Sequence, residues 1–146
     1  MNSQKTLVNN IEFFTQAGRI KNNLLKRSPK ITQLDDEFCA WALQFMEPKQ
    51  TFSNVLIMSQ IDYSSLVIGY AILPNGNVIE HAWNADSNNI FDLTGQLFWS
   101  KSDFYNCIYL EGFRLDPIEA KIISMTSGIR HTELRHNPHY RHMFNQ

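Results

Sequence analysis

Ser65-Leu66-Val67-Ile68-Gly69-Tyr70-Ala71-Ile72-Leu73, Pro74-Asn75-Gly76-Asn77 and Val78-Ile79-Glu80-His81-Ala82-Trp83-Asn84 form the stretch whose reading decides the fold. Two runs rich in branched and aromatic residues flank an Asn-Gly pair, the strongest short-range signal for an antiparallel hairpin. A second turn is expected at Ala85-Asp86-Ser87-Asn88, with a third strand over residues 89–94, which include Ile90-Phe91-Asp92-Leu93-Thr94. Residues 54–58 (Asn-Val-Leu-Ile-Met) and 104–110 (Phe-Tyr-Asn-Cys-Ile-Tyr-Leu) have the composition of further strands. The expectation is an antiparallel sheet of about four or five strands.

Loop lengths then set the register. A two-residue loop at Asn75-Gly76 places Tyr70 across from His81, and a four-residue loop over 85–88 places His81 across from Asp92. Tyr70, His81 and Asp92 would then share one face, beside Trp83, while Glu80 points to the other. A histidine and an aspartate on an apolar surface favour each other's company, because either is costly there alone.

Helices are expected around this sheet. Leu7, Ile11, Phe14, Ile20 and Leu24 recur at helical spacing through residues 3–25, with a weak point at Gly18 and a stop at Ser28-Pro29. A central helix is expected over 34–46, capped by Asp35 or Asp36 and stopped by Pro48. Asp116-Pro117 opens a helix that runs to about residue 127, where Gly128 ends it. The fold class is therefore α+β, with the sheet packed against N-terminal and central helices. Residues 1–130 read as a single domain. Residues 131–146, with His131, His136, His139 and His142 among arginines, read as a basic tail that is solvated and partly disordered. The three-residue histidine spacing slips around a helix and lacks a carboxylate or thiol, so no metal is expected there.

Composition narrows the function classes. At 146 residues, 43% hydrophobic and 18% charged, the chain can bury one ordinary core. A formal charge of −1 argues against a surface built for nucleic acid. The two cysteines make no disulfide framework, no run approaches a membrane span, and Met1-Asn2-Ser3-Gln4-Lys5 lacks a signal-peptide core. A cytoplasmic protein is expected, and secretion without a cleaved signal, as an effector, would leave the same trace.

Cys39, His81 and Asp92 offer chemistry. Thiol catalysis needs a thiolate, a base that forms it and a group that fixes the base's tautomer, and these residues occur in that order. The helix start favours a thiolate at Cys39, whereas Asp35-Asp36-Glu37 opposes it. Cys107 has no comparable neighbours in sequence and reads as structural.

Cys39 at a helix start, Gly69-Tyr70-Ala71, Glu80-His81-Ala82-Trp83-Asn84 and Phe91-Asp92-Leu93-Thr94 together resemble the transglutaminase-like branch of the papain-like fold. The resemblance covers roughly residues 34 to 95. It implies a papain-like core and acyl transfer from a protein or peptide amide, through a thioester on Cys39 and without a cofactor. A thiol protease or other peptidase, a glutamine deamidase and a transglutaminase would all fit. It implies Cys39 as nucleophile, His81 as base and Asp92 as the base's orienter. Gln33, six residues before Cys39, has the spacing of an oxyanion-stabilising glutamine; Trp83 and Tyr70 would border the substrate. The alternative is a catalytically inactive module on the same fold, docking a protein or nucleic-acid partner.

Overall fold

The Asn-Gly hairpin forms, with a different loop. In the computed structural model, which describes residues 11–87 and 89–146, β2 (Ser65–Ile72) and β3 (Val78–Ala85) pair antiparallel. Leu73 N bonds Asn77 O at 2.9 Å, so the loop is Pro74-Asn75-Gly76, three residues rather than two. Gly76 at φ 91° makes the left-handed step that such a loop needs. One extra residue shifts the register by one. Gly69, not Tyr70, stands across from His81, and Tyr70 pairs with Glu80. Tyr70 therefore lies on the face opposite His81, which corrects the expected Tyr70, His81, Asp92 row.

Among the described residues the sheet has five antiparallel strands, in the order β1-β5-β2-β3-β4, with β1 at Lys26–Arg27, β4 at Ile90–Phe91 and β5 at Ile108–Leu115. Between β2 and β5 the register jumps at Ile68/Gly69, because Phe113 pairs with Ile68 and Glu111 with Gly69. Gly112 is the inserted residue of this bulge, which lets Leu110 and Phe113 pack on the Tyr70 face although three positions apart. Tyr109 is left on the His81 face.

Several expected strands are helical. Residues 54–58 lie inside α3 (Thr51–Asp62), which runs along β3 and buries Thr51, Asn54, Val55, Met58 and Ser59. A four-residue apolar run does not distinguish a buried strand from a buried helix turn. The third strand stops at Phe91, where the Asp92 side chain accepts from Gly95 N and caps α4 (Leu93–Phe98). Residues 104–106 end α5 (Lys101–Asn106), capped by Ser100, and only from Ile108 is the segment a strand. The central helix is α2 (Asp36–Ala42), with Asp35 as its cap; α6 (Pro117–Thr126) has Asp116 as cap, Pro117 at its first turn and Gly128 beyond its end, as expected. The N-terminal helix ends earlier than expected: α1 (Ile11–Thr15) precedes Gly18 at φ 83°, and residues 3–10 lie outside the described residues, as does Asn88 of the second turn.

The main core covers the Tyr70 face, where Leu66, Ile68, Tyr70 and Ile72 meet Phe14, Ile20, Val55 and Ala120. The last segment completes it. Leu134 on α7 (His131–Leu134) and Phe144 are at most 1% exposed, and Ile20 and Phe144 form an isolated antiparallel bridge. Residues 131–146 are therefore not a solvated tail. Their polar composition hides apolar residues at the spacing that fills this face. His131, counted with the basic residues, is fully buried; its Nε2 bonds Gly69 O at 2.7 Å, and its ring lies between Phe52, Tyr70 and Phe144. Among the described residues no helix is long and apolar enough to cross a membrane.

Candidate functional site

On the opposite face, His81 and Asp92 meet. His81 Nε2 lies 2.8 Å from Asp92 Oδ2, and the two residues are 2% and 0% exposed. The route differs from the expected cross-strand pair. The second hairpin pairs Asn84 with Phe91, a slip of two from the expected register, which keeps Asp92 on the His81 side. Asp92 is then a helix cap. Its Oδ1 accepts from Gly95 N at 3.1 Å, and its Oδ2 accepts both His81 and the Tyr109 hydroxyl, the latter at 2.7 Å. One carboxylate thus holds three donors, which fixes the imidazole plane.

With Nε2 donating to Asp92, Nδ1 is the imidazole nitrogen left to act as an acceptor. Three aromatic rings surround the imidazole: Trp99 at 4.9 Å, Trp83 at 6.0 Å and Tyr109 at 6.1 Å between centroids. Burial, and then the Asp92 charge, push the Tyr109 phenol far above its ordinary range, so Tyr109 stays a donor. Trp83 is wholly buried on the same face, and its ring fits beside Gly69, across from His81, because that residue has no side chain; a Cβ there would stand 3.1 Å from Trp83 Cη2 and 2.0 Å from Leu110 O.

Cys39 does not join this group. It lies on α2, whose neighbours are α4 and an apolar cluster around Met46, Phe91 and Leu93. Its thiol points at Leu34 O, 3.9 Å away, and among the described residues no hydrogen bond links it to His81. Burial, then Asp36 and Asp35, raise its pKa, the reverse of what a nucleophile needs. Gln33 is exposed, and the glutamine that grips the chain here is Gln96, which bonds Leu34 N at 2.9 Å and Leu34 O at 2.8 Å. Tyr70 is remote from the pair, its hydroxyl accepting from Ile20 N at 2.9 Å; burial raises its pKa to about 12. Glu80, on that face, meets Arg19 at 3.6 Å. Cys107 does lie near Asp92; burial first, then the Asp92 charge, raise its thiol far above normal.

The helix that runs along the His81 strand is α3, and its first residue is Thr51. The Thr51 hydroxyl donates to Ala82 O at 2.7 Å, one residue from His81, and is 8% exposed. Nothing in the sequence marks Thr51, because the apolar run after it reads as a strand and its partner Ala82 is remote in the chain. Tyr109 and Trp99 were also missed, since both reach the site from segments remote in sequence.

With this geometry in hand, the chain was compared with protein-family models, curated proteins and solved structures. None matches it. Among the described residues no group of three or more histidine, cysteine or acidic side chains is placed to hold a metal ion.

Proposed function

We propose that this domain is a catalytically silent binding module, on a scaffold that resembles the transglutaminase-like branch, and that it docks a protein partner without forming a thioester. The observation that carries this reading is the side chain at the start of the helix beside the base. That position holds the Thr51 hydroxyl, engaged with Ala82 O, while the Cys39 thiol sits on another helix against Leu34 O. A threonine hydroxyl ionises far less readily than a thiol and is a much weaker nucleophile unless a base takes its proton. The His81–Asp92–Tyr109 group then serves mainly to anchor the start of α4 to the sheet.

A second reading, a cysteine-dependent amide hydrolase or acyltransferase acting through Cys39, has one observation in its favour. His81 meets Asp92 through Nε2, which leaves its other nitrogen, Nδ1, to take a proton from a nucleophile, the division of roles a nucleophile–base–orienter triad needs. Iodoacetamide labelling separates the two. The binding module predicts slow alkylation of Cys39 at neutral pH, at the same rate in wild type and His81→Ala, with mass spectrometry reading each thiol. Rapid alkylation that collapses in His81→Ala would establish the enzyme and sink the module.

A further inference from the structure

Residues 28–34 cross the His81 face as an irregular strap. Ser28 N bonds Tyr109 O at 2.9 Å at one end, Thr32 N bonds Ile90 O at 2.6 Å, and Leu34 is held by Gln96. Ile31 packs down onto the cluster of Val67, Trp83, Ala85 and Tyr109. Between this strap and the α5–β5 segment lies a groove of about 860 Å³, a volume typical of ligand sites.

The lining is uneven in charge. Arg27 and Lys30 stand on the strap side and Phe104, Tyr105 and Tyr109 on the other, and among the described residues no carboxylate lines the groove. Among the described residues neither Arg27 nor Lys30 makes an ion pair, and both are exposed. Asp103, whose charge acts on Cys107, is on α5 but does not line the groove. The backbone contributes as well: Lys30 and Gln33 line the groove, and among the described residues their amides carry no hydrogen bond. Extended peptides are recognised by such free backbone groups together with side-chain pockets on alternate residues.

We infer that this groove takes an extended acidic peptide segment of a protein partner, with its carboxylates on Arg27 and Lys30 and its apolar side chains on Tyr105 and Phe104. The inference rests on the binding-module reading and supplies its ligand class. Tyr109 forms part of the groove wall and donates to Asp92, so the groove adjoins the His81–Asp92 pair.

The test uses the full chain and a fluorescein-labelled octapeptide of alternating glutamate and valine, with the lysine–valine octapeptide as control, read by anisotropy. The acidic peptide is expected to bind at least about tenfold more tightly than the basic one, and more weakly as salt rises from about 50 to about 300 mM. Arg27→Glu/Lys30→Glu is expected to reverse the preference, and Tyr105→Ala to weaken both peptides; these side chains are exposed, so circular dichroism should show an intact fold. Equal binding of the two peptides, no binding of the acidic one up to about 1 mM, or an unaltered double variant would overturn the inference. Tighter binding of a single-stranded oligonucleotide, lost in the double variant, would also overturn it by assigning the groove to nucleic acid. Cys39 alkylation reads the module separately. Slow, His81-independent labelling with no peptide bound rejects this groove alone. Rapid, His81-dependent labelling with the peptide bound rejects silence and keeps the groove.

Discussion

His81 Nε2 lies 2.8 Å from Asp92 Oδ2 although no strand ladder joins the two residues. The contact exists because Asp92 ends β4 and caps α4, so one carboxylate closes a helix and orients a histidine. Asp92→Ala removes the cap and leaves His81 and Tyr109 without their acceptor. It is expected to cost about 3–5 kcal/mol in urea unfolding, the range for breaking a buried pair. Asp92→Asn keeps an acceptor oxygen and should cost about 1–3 kcal/mol. An Asp92→Ala variant as stable as wild type would show that the cluster contributes nothing.

Thr51 can report on the base. Its hydroxyl bonds the residue next to His81, at the start of a helix whose N-terminus favours a thiolate. In a Cys39→Ala/Cys107→Ser background, Thr51→Cys is expected to be alkylated at least about tenfold faster than Cys39 is in wild type. Most of that gain should vanish when His81→Ala is added. A rate no faster than that of Cys39 would mean that the His81 face is closed to this position.

His131 makes stability depend on pH. Its burial lowers its pKa from 6.5 to about 3, so the folded protein holds it neutral while the unfolded chain takes up a proton below about 6.5. Its contribution is therefore complete above pH 6.5 and is lost as pH falls towards 3, at up to about 1.4 kcal/mol per pH unit. NMR should show the His131 imidazole still neutral at about pH 5, where free histidine is charged. A midpoint near 6.5 would refute the burial argument.

Gly69→Ala tests the close approach that seats Trp83. The new Cβ would meet Leu110 O at 2.0 Å, so β5 must move. Expected are a loss of at least about 1–3 kcal/mol and a change in near-ultraviolet dichroism from the displaced tryptophan. An unchanged spectrum with unchanged stability would contradict the packing.

Deleting residues 131–146 should unfold the domain. Leu134, Tyr140 and Phe144 cover Ile20 and the Tyr70 face, and His131 satisfies Gly69 O. Far-ultraviolet dichroism and the loss of a cooperative melt check this; a folded truncated chain would restore the view of that segment as a tail.

Legibility followed the range of each signal. The hairpin, the Asp35 and Asp116 caps and the α+β class were readable because each depends on neighbours within a few residues. The strand expected at residues 54–58 failed because an apolar run has no period of its own, and only packing along β3 made it a helix. Tyr70 failed on one residue of loop length, which turned its side chain to the opposite face. The His–Asp contact survived because a two-residue slip preserves the face.

By itself, then, the sequence determined an antiparallel hairpin, capped helices, and a histidine and aspartate on one side of the sheet, all consequences of local geometry and alternation. Only the tertiary structure decided which groups stand beside that pair. It placed Tyr109 and the Trp99 ring there, set Thr51 at the helix start along β3 and left Cys39 on another helix. Those neighbours come from segments far apart in the chain, brought together by burying apolar faces, and no local pattern encodes that closure.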